Sequence, residues 1–232
     1  MTSPEIAVVI PTLNEERTLE ACLSSIGGGS NTEIVVSDGG SSDATARIAA
    51  DFGVGVVVGA AGRGQQLNRG AAATAAQRLL FLHADCRLPI GWRHDVMEAL
   101  DDETNALVCF RLRTEPTPGA SDSILARTWR KTLDLRSRGL RLPYGDQGFC
   151  LRRTVFDRAA GFPEIPLMED LEFARTCRHL GRICRLRSEM RTTARRSGGQ
   201  PFRARAMWVV FPVLYRCGVS PITLARWYGE VR

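Results

Sequence analysis

Residues 6–14 read IAVVIPTLN and residues 33–45 read EIVVSDGGSSDAT. In each, a short apolar run breaks into a polar, turn-forming stretch. Runs of that length bounded by turn signals read as strands buried on both faces. After the first, residues 15–26 keep helical spacing through Leu19, Cys22, Leu23 and Ile26 and stop at a run of glycines. After the second, residues 41–43 offer Ser and Asp caps to a helix over 44–52. Further out, residues 54–58 form a third strand, 60–68 a glycine-rich loop, 69–77 an alanine-rich helix, and 79–82 a fourth strand ending at His83-Ala84-Asp85. This alternation predicts an α/β fold, a parallel sheet with helices on both faces. Ligands of such sheets sit beyond the carboxyl ends of the strands. Those ends carry Thr12 to Glu15, Asp38, Arg63 and His83 to Asp85, so four polar clusters are expected in one cleft.

Past residue 100 the pattern loosens. Residues 106–112 read as a strand, 121–138 as a basic helix, 144–151 (YGDQGFCL) as a turn running into a strand, and 168–173 (MEDLEF) as a helix start. Residues 191–205 are basic and read as a mobile loop; 207–215 (MWVVFPVLY) are apolar but too short to span a bilayer. The 232 residues, 44% apolar and 24% charged, fit one domain with an appended lobe. They exclude disorder, collagen and coiled coil as whole-chain descriptions. The opening MTSPEIAVVIPT lacks a basic segment followed by an apolar one, so no signal peptide is expected.

Charge is unevenly spread. Thirty-one basic and 25 acidic residues give +6, yet residues 178–232 hold 12 basic and 2 acidic side chains and the rest of the chain is net negative. Every basic residue but Lys131 is Arg. A tail of this kind is a solvated basic face, or it meets an anionic membrane surface or a phosphate-bearing substrate. Seven cysteines, an odd number with no CxxC pair, form neither a disulfide framework nor a zinc site and point to a reducing, cytoplasmic setting.

Four clusters carry chemistry. Asp38, at a strand end, can accept from a base N–H or a ribose hydroxyl, and it lies too early to be the cap of the following helix. A dinucleotide-binding fold would place GxGxxG after the first strand, where this chain has PTLNEE, and no phosphate-binding GxxxxGK[ST] occurs. In GRGQQLNRG (62–70) the glycines permit close backbone approach and Arg63 can bond a base carbonyl or a phosphate. In LHAD (82–85), strand alternation puts His83 and Asp85 on one side, where an Asp can hold Mg2+ or Mn2+ together with substrate phosphates. Glu169-Asp170 is either a general base with its orienter or an acidic helix start favoured by the helix dipole.

At these clusters the chain resembles a family-two glycosyltransferase with the GT-A fold. The matching stretches are VVIPTLNEE (8–16), EIVVSDGGSSDAT (33–45), GRGQQLNRGA (62–71), LLFLHADCRLP (79–89), YGDQGFCLRR (144–153) and MEDLEF (168–173). HAD, GDQ and the closing YRCGVSPITLARWY resemble a short bacterial branch of transferases associated with radical-SAM and selenium-domain proteins. The resemblance implies a Rossmann-like, mostly parallel sheet flanked by helices over residues 1–180, with a basic helical tail over 181–232. The tail would pack on the domain, on a second copy to give a homodimer, or peripherally on the inner membrane face.

The resemblance also implies site residues. Pro11, Leu13 and Glu15 line the nucleotide, Asp38 reads the base, and Arg63 flanks base or phosphate. Asn68 and Ala84 belong to the same donor site. Asp85 is the last acid of the family's DxD metal motif, with His83 standing where that motif has its first Asp. Asp146 and Gln147 lie near sugar and acceptor. Asp170 is the general base and Glu169 orients acceptor or base. The implied reaction moves a sugar from a nucleotide-diphosphate donor, UDP-sugar favoured, to an acceptor the sequence does not identify. It proceeds with inversion and uses Mn2+ or Mg2+. Rival readings are a nucleotidyltransferase that makes sugar nucleotides, whose Gly/Arg loop normally follows the first strand, and a non-catalytic nucleotide-binding homologue. A nucleic-acid binder is disfavoured, because the aromatics of the tail are not interleaved with its arginines.

Overall fold

The protein is described from a computed structural model, which defines residues 4–28, 31–115, 127–128, 131, 142–193 and 210–229. Its centre is an eight-stranded sheet in the order β3-β2-β1-β4-β7-β6-β8-β5. The strands are β1 (Ile6–Thr12), β2 (Thr32–Asp38), β3 (Gly55–Val58), β4 (Arg78–Phe81), β5 (Cys86–Arg87), β6 (Asn105–Glu115), β7 (Phe149–Arg152) and β8 (Arg182–Thr193). The helices considered are α1 (Leu19–Ile26), α2 (Thr45–Asp51), α3 (Arg63–Ala72), α4 (Trp92–Asp101), α5 (Arg153–Arg158), α6 (Glu169–Leu180) and α7 (Pro221–Tyr228).

β1, β2, β3 and β4 pair in parallel, and β7 then runs antiparallel to both β4 and β6. β6 pairs in parallel with β8, and β5 closes the edge antiparallel to β8. The apolar run of β1 is continuous because both faces are covered. Ile6, Val8 and Ile10 face a core with Leu19, Leu23, Trp92 and Phe110. Ala7 and Val9 face a second core with Leu67, Phe81, Phe149, Phe162 and Phe173. In that second core Phe162 stacks on Phe173 with ring centroids 3.9 Å apart, which seats α6 against the sheet.

The glycine-rich stretch, expected as a loop, is the first turns of α3. Its glycines serve packing rather than freedom: a Cβ on Gly70 would lie 2.3 Å from Val9 Cγ1, and one on Gly64 would lie 2.4 Å from the Pro163 carbonyl oxygen. The helix lies close on β1 and on the chain before α6 because those side chains are missing.

The sheet also runs past residue 180. β8 is its seventh strand in spatial order, so the boundary expected at 180 falls within one sheet. Of the tail, helical turns at 210–216 and α7 pack back on the domain: Leu224 and Phe211 are buried, and Tyr215 Oη donates to Glu172 Oε2 of α6 at 3.0 Å. Most of the expected helix over 121–138 and the stretch 194–209 lie outside the described residues.

Candidate active site

The carboxyl ends of β1 and β2 lie side by side, with Thr12 in register with Asp38. Thr12 Oγ1 donates to Asp38 Oδ1 at 2.9 Å. The N–H groups of Gly40 and Ser41 donate to Asp38 Oδ2 at 3.0 and 2.8 Å, and Ser41 Oγ donates to Oδ1 at 2.5 Å. Asp38 is too early to cap α2, but it does cap the turn that follows β2. Burial pushes its carboxyl up; the bonds from Ser41, Thr12 and Gly40 outweigh that and hold it below the usual carboxylate range.

The loop after β1 is stitched to the loop after β2. Asn14, held at φ 55, donates its N–H to Ser41 Oγ at 2.9 Å and accepts from the Ser42 N–H at 2.9 Å. The Glu15 N–H donates to Thr45 Oγ1 at 2.8 Å, and its carboxylate accepts from Thr18 Oγ1 at 2.9 Å. Glu15 is buried; Pro11 and Leu13 remain partly open.

Two side chains that sequence reasoning missed hold this edge in place. Gln66 Nε2 donates to the carbonyls of Thr12 at 2.7 Å and Ser37 at 2.9 Å, bridging the ends of β1 and β2 from α3. Arg69 Nη2 donates to the Asp38 carbonyl at 3.0 Å. Both lie within GRGQQLNRG, but reading that stretch as a loop gave no reason to single out its Gln and second Arg as supports for the ends of β1 and β2. Asn68, expected at the donor site, commits its amide to Phe162: Nδ2 donates to the carbonyl and Oδ1 accepts from the N–H, both at 2.8 Å. It ties α3 to the chain before α6.

From the start of α3, Arg63 Nη1 donates to Glu169 Oε1 at 3.0 Å, across 106 positions of sequence. Glu169 is 2% exposed. Burial pushes its carboxyl up, Arg63 pulls it back, and neighbouring Asp170 adds to the rise. Met168, just before the pair, sits at φ 70, a left-handed conformation that costs a non-glycine residue energy.

Asp170 turns the other way. Its Oδ2 accepts from the Gly145 N–H at 2.8 Å and its Oδ1 from the Leu171 N–H at 2.7 Å. A Cβ built on Gly145 would lie 3.1 Å from His83 Nε2 and 3.3 Å from Asp170 Oδ2, so His83 and Asp170 flank one point. His83 and Asp85 were expected on one side of a strand, but β4 ends at Phe81 and the two sit on a turn closed by the Cys86 N–H to the His83 carbonyl at 3.0 Å. Ala84 within it is buried. Cys86 Sγ lies 3.7 Å from both Asp85 Oδ1 and the Asp146 carbonyl. Burial and the charges of Asp85 and Asp146 push that thiol up. Gln147, expected beside sugar and acceptor, is buried in its turn: it donates to the Phe110 carbonyl at 3.0 Å and accepts from the Tyr144 N–H at 3.1 Å.

The contacts therefore run unbroken along one edge, from Asp38 and Thr12 through Gln66 and α3 to Arg63, Glu169, Asp170, Gly145 and His83. Among the described residues no three His, Cys, Asp or Glu side chains gather as a metal cage. His83 and Asp85 lie on one turn.

Solved structures share this architecture. The mannosyltransferase PcManGT from Pyrobaculum calidifontis, in complex with GDP-Man and Mn2+, superposes with a TM-score of 0.65 at 18% identity, covering 89% of this chain and 62% of that one. S. aureus TarS gives 0.63 at 17% identity, covering 82% of this chain and 36% of that one. TarS 1-349 in complex with UDP-GlcNAc gives 0.60 at 18% identity, with 82% and 58% covered. This chain thus spans less than two thirds of each of them. No curated protein matches it closely. The glycosyl transferase family 2 model matches residues 7–159, well over half of the chain, from within β1 through α5. The chain belongs to glycosyl transferase family 2, with the GT-A fold.

Proposed function

We propose that the protein is an inverting glycosyltransferase that moves a sugar from a nucleotide-diphosphate donor, UDP-sugar favoured, to an acceptor hydroxyl. The observation that carries this reading is Asp170, fixed by two backbone N–H groups beside His83 at the edge where Arg63 and Asp38 also lie. Fixed geometry of this kind is what a general base needs.

In this mechanism the turn held by Asp38, with Pro11, Leu13 and Glu15, floors the base and ribose side of the donor. Arg63 receives an anionic oxygen of the diphosphate with the N–H groups that Glu169 leaves over. Asp170 takes the acceptor proton as the anomeric bond breaks, and the sugar carbon is attacked from the face opposite the leaving diphosphate. Asp146, on the turn that holds Asp170, borders sugar and acceptor. Asp85 and His83 would hold a Mn2+ or Mg2+ ion, which supplies positive charge to the leaving group. A neutral imidazole accepts Mn2+ more readily than Mg2+, so Mn2+ is the better match.

No described helix is long and apolar enough to cross a membrane. The tail exposes Val213, Ile222 and Trp227 beside Arg216 and Arg226, which supports a second copy or an anionic membrane surface as its neighbour at the cytoplasmic face. A thermal-shift panel of UDP-, GDP- and dTDP-sugars with Mn2+ or Mg2+ tests the reading. One donor class should raise the melting temperature, with a stabilisation that grows as the logarithm of concentration over Kd once the site is near saturation, and with release of the nucleoside diphosphate. Pyrophosphate release from a nucleoside triphosphate and a sugar phosphate would establish the nucleotidyltransferase instead.

A further inference from the structure

The two acids of the Glu169-Asp170 pair face different partners. Asp170 is bonded to the 145–147 turn, whereas Glu169 is buried against α3 with Arg63 as its hydrogen-bonding side chain. We infer that Glu169 is a positioning residue for the donor: it fixes Arg63 for the diphosphate and does not touch the acceptor. The inference rests on the glycosyltransferase reading and assigns Glu169 to the opposite side of the reaction from the one its sequence neighbour implies.

Three observations support it. Glu169 is 2% exposed while the Arg63 side chain is 30% exposed, so the carboxylate is sealed in and Arg63 keeps contact with solvent. The bond to Glu169 uses one Arg63 nitrogen, and a guanidinium carries five N–H donors in a rigid fork, so others remain for a phosphate oxygen. A carboxylate buried this deeply does not readily release its cation, because the charge left behind would be uncompensated. Arg63 therefore stays on Glu169 and meets the donor in one fixed orientation, without losing rotamer entropy at that moment.

The alternatives predict different signs. If Glu169 only quenched the charge of Arg63, neutralising it would tighten binding of an anionic diphosphate. If Glu169 only packed α6 on α3, a folded variant would bind unchanged. Positioning alone predicts looser binding that depends on Arg63.

The experiment is a calorimetric titration of the full chain with UDP and with GDP, each with Mn2+, for the native protein, Glu169→Gln, Arg63→Met and the double variant Arg63→Met/Glu169→Leu. The double variant replaces the pair by apolar side chains of similar reach, a change that often preserves folding. The expected result is about tenfold weaker binding in Glu169→Gln, the size of one coupling between contacting residues. In the Arg63→Met background, removing the Glu169 charge should cost nothing further. Unchanged or tighter binding in folded Glu169→Gln overturns the inference while the functional reading stands. So does a further loss in the double variant relative to Arg63→Met. If Glu169→Gln does not fold, Glu169→Asp takes its place: the shortened carboxylate should also weaken binding, and unchanged or tighter binding there overturns the inference. Failure of the native protein to bind either nucleotide, or dTDP titrated in the same way, overturns both the inference and the functional reading.

Discussion

The Gly145 N–H donates to Asp170 Oδ2 at 2.8 Å, joining the turn before β7 to the first turn of α6 across 25 positions. The bond holds a carboxylate that would otherwise swing on χ1, and it does so from a residue with no side chain. Gly145→Ala brings a methyl to 3.1 Å from His83 Nε2 and 3.2 Å from Asp170 Cβ, so both neighbours must shift by a few tenths of an ångström. Turnover is expected to fall about tenfold, in line with the sensitivity of catalysis to misplacement, while nucleotide binding is kept. Steady-state kinetics beside a nucleotide titration checks this.

The α3 glycines give a stability prediction. Gly64→Ala puts a methyl 2.4 Å from a backbone carbonyl oxygen, and Gly70→Ala puts one 2.3 Å from a buried valine methyl. Each should destabilise by roughly 1–3 kcal/mol, the usual cost of overpacking. Reading these glycines as loop flexibility predicts no such loss. Urea denaturation separates the two.

Asp38 supplies a pH dependence. Its folded carboxyl is held below the ordinary value, so in the folded state it stays ionised to lower pH than in the unfolded chain. The sign follows: this stability is fully present above the unfolded value near 3.8 and is lost as pH falls through the lower folded value. Asp38→Asn should be less stable than the native protein at neutral pH, and the gap should narrow at acidic pH. Melting temperatures of both proteins from neutral pH into the acid range test it; a gap that widens in acid contradicts the assignment.

For the tail, Tyr215→Phe removes the bond to Glu172 in the first turn of α6. Burial and that carboxylate both push the Tyr215 hydroxyl up, so it remains a protonated donor at neutral pH. The expected loss is about 1 kcal/mol, read as a lower denaturation midpoint. No change would mean that residues 210–229 contribute little to holding α6.

For the metal, Mn2+ should tighten UDP binding to the native protein and should not do so for Asp85→Ala. Titrations with and without Mn2+, and after chelation, measure it.

Much of this was legible in the sequence because strand ends in a parallel sheet announce themselves: a buried run must stop where its backbone meets solvent, and there PTLN, SDGG and HAD stand. The partner strands were harder. β7 and β8 are paired to strands that lie tens of residues away, and nothing local fixes which neighbour a strand will choose. Arginines misled by type. Arg152 and Arg153 count as charge in a sequence, yet Arg153 donates to the carbonyls of Ala71, Thr74 and Ala76 at the end of α3, and Arg152 to those of Leu100 and Asn105 around the end of α4. Asn68 and Gln147 misled in the opposite direction: their position in matching motifs implied ligand contact, and their amides are used by the backbone.

The central claim is that Asp170 removes the acceptor proton. Its sharpest test is Asp170→Asn, compared with the native protein for donor affinity and for the rate of nucleoside-diphosphate release in the presence of acceptor. The account predicts near-native affinity with turnover lower by about 10²–10⁴-fold, the range for loss of a general base. Near-native turnover in a folded Asp170→Asn protein would contradict it.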